Sequence, residues 1–164
     1  MVAPVLRGLH HLKLPVSDLD ASLAWYQRVL GALHQRQFDH IDSDGVRYAV
    51  ILAVPGVDTP LELRWAPEMA ARTVGYDPIS FAVDDPAALD AWAAHLDELG
   101  VEHSPVALGA AGRLLAFADP DGTHLRVLEL PKGGVQHIVM GNADPEPTNE
   151  WLFPAAMRHP RHVG

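Results

Sequence analysis

Seven polar side chains on four short alternating stretches carry the chemistry available to this sequence. His11 and Lys13 share a face of the run 11–16 with Pro15, while Leu12, Leu14 and Val16 take the other. Glu62 and Arg64 share a face of 61–65, opposite Leu61, Leu63 and Trp65. Ser80 lies with Pro78 and Ala82 on one face of 78–83, and His124 and Arg126 share a face of 123–130 with Leu128. An imidazole beside a carboxylate is suited to proton transfer near neutral pH, so His11 reads as a general base or as a donor to a bound molecule. Glu62 has three readings: metal ligand, base, or ion-pair partner of Arg64 or Arg126. Arg126 interrupts an otherwise apolar strand, where a guanidinium must meet an acid or an anionic ligand. Lys13, Arg64, Ser80 and His124 read as groups that bind a substrate, and His124 is also a spare nitrogen donor.

Each stretch is placed by a repeated element pair. In 8–31, GLHHLKLPVSDLDASLAWYQRVLG, an alternating strand meets the capping residues Ser17 and Asp18. A helical stripe of Leu19, Leu23, Tyr26 and Leu30 follows, and Gly31 ends it. The pattern recurs: the strand ISFAV, the caps Asp84 and Asp85, Pro86 at the first helical position, the stripe Leu89, Trp92, Leu96 and Leu99, then Gly100. Val16 and Val83 lie 67 residues apart, and Gly31 and Gly100 lie 69 apart. That period suits a duplicated supersecondary module rather than a solenoid. Strands are expected at 32–39, 46–54 and 61–65 after the first helix, and at 101–107, 112–118 and 123–130 after the second. Residues 67–77 read as a linker with a helical turn. His40 reads as a surface residue near the turn DSDG, and His10 as pointing away from His11. Trp25 and Trp92 read as core or interface; for Tyr48 and Trp65, parity does not choose between core and cavity.

The segments HHLKLPVSDLDASLAWYQRVLG and FADPDGTHLRVLEL resemble the opening and closing motifs of the vicinal oxygen chelate superfamily, which holds glyoxalases, extradiol dioxygenases and bleomycin-resistance proteins. The resemblance spans about 8–130 and implies an α+β fold: two tandem β-α-β-β-β modules whose curled mixed sheets surround a cavity. The modules fall at 8–65 and 78–130, joined by the linker 66–77 and followed by a C-terminal extension, 131–164. In metal-binding relatives each module supplies a His from its first strand and a Glu from its last. Here the first pair matches His11 and Glu62, but the second His position is Pro78 and the second Glu position is Arg126. The resemblance therefore implies either a weakly held divalent ion (zinc, nickel, iron or manganese) or none.

The remaining expectations come from totals. A formal charge of −9 over 164 residues argues against nucleic acid, which needs a basic face. The absence of cysteine removes disulfides, thiolate nucleophiles and Cys-based zinc sites. No run approaches the ~20 apolar residues of a membrane helix, and the opening MVAPVLRG has no signal-peptide core, so a cytoplasmic protein is expected. Nucleotide-binding, serine-hydrolase and zincin motifs are absent from the sequence. The extension carries Trp151 and Phe153, either covering its own domain or reaching a second subunit, and relatives often share cavities across chains, so a homodimer is expected. The first functional reading is an enzyme (lyase, isomerase or oxygenase) acting on a small oxygenated or carbonyl compound, with His11, Glu62 and Arg126 as its working residues. The alternative is a metal-independent protein that sequesters an antibiotic or metabolite.

Overall fold

The computed structural model describes residues 3–109 and 112–130. The readings given for the extension 131–164, a cover for its own domain or an arm reaching a second subunit, lie outside the described residues. The described residues divide into two compact units, one up to residue 72 and one from residue 73.

In the first unit, β1 (Leu12–Val16) leads into α1 (Leu19–Leu30). Asp18 Oδ1 accepts from the backbone N–H groups of Asp20 and Ala21 at 3.1 and 2.9 Å, which satisfies two donors the helix cannot pair itself. Gly31 stops the helix at φ 63°, left-handed backbone that suits a residue without Cβ. Leu19, Tyr26, Val29 and Leu30 turn inward with Leu14 and Val16 of β1. The strands β2 (Leu33–His34), β3 (His40–Ile41), β4 (Arg47–Ala53) and β5 (Leu61–Trp65) complete a mixed sheet ordered β1-β5-β4-β2, with β3 also paired to β4. β1 and β5 run parallel, in a register that sets Lys13 beside Glu62 and Pro15 beside Arg64. The short helix α2 (Pro67–Arg72) packs on β1, so the stretch read as linker belongs in part to this unit.

The second unit repeats the plan: β6 (Ile79–Val83), α3 (Pro86–Leu99), β7 (Ala107–Gly109), β8 (Gly112–Ala118) and β9 (His124–Glu129), in the order β6-β9-β8-β7. Its first and last strands again pair in parallel, which sets Ser80 beside Arg126. Leu89 and Leu96 of α3 are buried with Leu115, Phe117, Leu125 and Val127, and Trp92 stacks on Phe117 at 6.5 Å. Both sheets are open and mixed, as the α+β duplication requires. Among the described residues no helix is long and apolar enough to cross a membrane.

Two expected strands are corrected. In 32–39 only Leu33 and His34 pair; a 3-10 turn follows at Arg36–Phe38. The cause is a local closure that periodicity does not report. His34 Nε2 lies 2.7 Å from Asp39 Oδ1, both side chains are nearly buried, and Arg47 pairs with Asp39 and Asp20. In 101–107 the ladder is replaced by an isolated bridge between His103 and Phe117, and β7 starts only at Ala107. There Ser104 substitutes its side chain for a strand neighbour: its Oγ accepts the N–H of Ala116 at 3.0 Å.

Candidate functional site

Glu62 is the organising residue of the first unit. It sits mid-strand on β5, between Leu61 and Leu63, and its side chain is 0% exposed. A buried carboxylate must be neutralised by charge or hydrogen bonds, and strand register delivers both. Arg64, two residues along the same face, donates from Nε to Oε1 at 2.7 Å, and its Nη2 lies at the same distance from that oxygen. Lys13 Nζ stands 3.8 Å from Oε2. His11 Nε2 lies 3.1 Å from Oε2, within ion-pair range but off the line of a hydrogen bond.

Four of the sequence-assigned residues, His11, Lys13, Glu62 and Arg64, are therefore one cluster, and three more side chains that sequence reading placed elsewhere or left open join it. His40 is half-buried, not a bystander at the turn: its Nδ1 lies 4.0 Å from Glu62 Oε1 and 3.3 Å from Arg64 Nη2. Sequence parity missed it because its face follows from the pairing of His40 with Ala49, and Ala49 in turn faces Arg64. Tyr48 lies under Arg64, with the guanidinium carbon 5.1 Å from the ring centroid, and meets the His40 ring edge-on. Trp65, the other residue parity left open, is 58% exposed and belongs to no core. His10 does not point away from His11: the two Nδ1 atoms lie 2.7 Å apart, and the rings meet edge-on. A carboxylate beside His11 Nε2 favours the tautomer protonated on that nitrogen, which leaves Nδ1 to accept from His10.

The other three residues belong to the second unit. Arg126 meets an acid as a strand-borne guanidinium must, and that acid is Asp77, with Nε 2.5 Å from Oδ2. Ser80 is exposed on β6, in register with Arg126. His124 is half-buried, and its backbone N–H donates to Tyr76 O at 2.9 Å.

The donor set does not fit a divalent ion. His11 and Glu62 supply two donors, but the carboxylate already lies against Arg64 and Lys13. At ~5 Å and an effective dielectric of ~20, a unit positive charge opposes a dication by roughly 7 kcal/mol, an upper figure because Lys13 can swing away. Pro78 offers no ligating side chain, and Arg126 is a permanent cation. Among the described residues no group of three or more His, Asp or Glu side chains is arranged to hold a metal.

The fold has counterparts among solved structures. The chain is similar over 74% of its length to a glyoxalase/bleomycin resistance protein from Streptomyces sp. CB03234, with 28% identity, 99% of that protein covered and a TM-score of 0.57. It is similar over 77% of its length to TnmS3, an antibiotic binding protein of the same organism, with 27% identity, 98% covered and a TM-score of 0.62. Lactoylglutathione lyase from Agrobacterium tumefaciens shares the fold at 22% identity and a TM-score of 0.58, over 76% of this chain and 94% of its own. The family model for the Glyoxalase/Bleomycin resistance protein/Dioxygenase superfamily matches residues 8–127, and the chain belongs to that superfamily.

Proposed function

We propose that this protein binds a small organic molecule on the polar face of its first unit, without a resident metal, and sequesters it. The observation that carries this reading is the state of Glu62. Its Oε1 accepts from Arg64, and its Oε2 lies beneath His11 and Lys13, so the carboxylate is committed to holding cations in place. A carboxylate so held is a poor metal ligand and a poor base, because either task requires it to leave its partners. What the arrangement presents outward is Lys13, the half-exposed Arg64 guanidinium and the edges of His11, His40 and Tyr48. These are donors and ring surfaces suited to recognising a polar, unsaturated compound. The likeness to an antibiotic binding protein supports the same reading.

Native mass spectrometry of the protein as purified tests it. The expected result is a non-covalent organic adduct, or stoichiometric uptake of an oxygenated aromatic from a small panel, with the ligand released unchanged. Release of a chemically altered molecule over repeated cycles would overturn it in favour of an enzyme.

That second reading, an enzyme acting on an oxygenated or carbonyl compound, has one specific observation behind it: the contact chain His10–His11–Glu62. Two imidazoles in contact, the inner one beside a carboxylate, form a route along which a proton can move, with His10 at the exposed end. It predicts turnover that falls when His10 is replaced by Gln and a rate profile governed by an imidazole.

A further inference from the structure

The charges around Glu62 do not cancel. Glu62 contributes one negative charge, whereas Lys13 and Arg64 contribute two positive ones, and His11 and His40 add more wherever they are protonated. Acids nearby in sequence do not redress this: Asp39 is turned to His34 and Arg47, and Asp20 is turned to Arg47. The cluster in contact with Glu62 is thus net positive, in a chain whose formal charge is −9. Its donors are also incompletely used. Among the described residues no acceptor meets Arg64 Nη1, and Lys13, whose side chain is 53% exposed, holds Nζ 3.8 Å from its nearest carboxylate oxygen, beyond a hydrogen bond. The guanidinium cannot turn freely, because Glu62 holds its Nε side and Tyr48 lies against its face.

From this we infer that the face selects ligands carrying a negative charge, a carboxylate or phenolate on a flat, unsaturated skeleton. The anion would sit between Lys13 and Arg64, and the ring against Tyr48 and His40. Glu62 is then a buried counter-ion: it fixes the cations in position while leaving them in excess. The inference rests on the reading of this face as a small-molecule site and narrows its ligand class. It also gives the absence of a fitting metal site a physical counterpart, since the excess charge that repels a dication attracts an anion.

Three planar probes of one shape and different charge test it: benzoate, benzamide and benzamidinium, each titrated at low salt and constant pH while the imidazole NMR signals of His11 and His40 are followed. Benzoate is expected to bind about tenfold or more tightly than benzamide, a single-charge preference, to weaken as salt is raised, and to move both His signals, while benzamidinium gives no saturating shift. Lys13→Gln, at a half-exposed position that does not threaten the fold, is expected to narrow the gap between benzoate and benzamide. Glu62→Gln removes the buried negative charge and is expected to tighten benzoate, the opposite of what loss of a catalytic or metal-binding carboxylate would do. Equal binding of benzoate and benzamide, or preference for benzamidinium, overturns the anion inference and leaves the small-molecule reading standing. No movement of the His11 and His40 signals with any of the three overturns both.

Discussion

Arg64 and Glu62 form one ion pair, yet removing one is not the mirror of removing the other. Glu62 is fully buried, whereas the Arg64 side chain is 35% exposed. Arg64→Met leaves a carboxylate in the sheet with only Lys13 and the imidazoles near it, and breaking a buried pair in this way typically costs about 3 kcal/mol or more. Glu62→Gln keeps an acceptor that holds Arg64 in place, so its cost is set by one weakened hydrogen bond, about 1 kcal/mol. Urea denaturation of the two variants is expected to place Arg64→Met well below Glu62→Gln in stability; the reverse order would show that Glu62 is not carried as a charged group. The members of this cluster differed in how far the sequence announced them. His11, Lys13, Glu62 and Arg64 were legible because period-two alternation in β1 and β5 fixes their faces. His40 was not, because its face depends on pairing with β4 across a bulge between His40 and Ile41. His10 was not, because the chain before β1 follows no strand parity and folds its ring back onto His11.

At the scale of elements, strands and helices with strong caps were readable to within a residue, and the exceptions share a cause. The span 32–39 alternates poorly, and its His34–Asp39 pair closes it into a turn through a contact five residues apart. The span 101–107 contains Pro105, and Ser104 Oγ takes over a backbone partner. In both places a side chain competes with the ladder, which no hydrophobic pattern records. The turn that starts β9 is the opposite case, since DPDG announces it. Asp119 Oδ1 accepts from Asp121 and Thr123 N–H at 3.0 and 2.9 Å, and Gly122 adopts φ 80°. A Cβ at Gly122 would also come within 3.1 Å of Val74 Cγ1. Gly122→Ala is therefore expected to destabilise the protein by about 1 kcal/mol or more, and to disturb His124 and Arg126, which are placed by the register that this turn sets. A thermal midpoint unchanged from wild type would contradict that account.

For the whole molecule, duplication explains why the two units carry matching polar positions on their first and last strands, and why those positions have diverged. The first unit commits its acid to Arg64, Lys13 and His11; the second carries Arg126 at the register position that Glu62 holds in the first, and pairs it with Asp77. Homodimerisation is a further proposal at this scale, and a chain ending at Leu130 is expected to sediment as a smaller species than the full chain would if its C-terminal segment joins two copies. Identical behaviour, beyond the mass removed, would dismiss that role for 131–164. The face around Glu62 is proposed to work without a metal. The decisive measurement is elemental analysis of the 164-residue chain, equilibrated with zinc, nickel, manganese and ferrous ions in turn and then freed of loosely held ions. Well under one equivalent of each metal per chain is expected; a full equivalent of any of them, lost in the Glu62→Gln variant, would show that this face holds a metal.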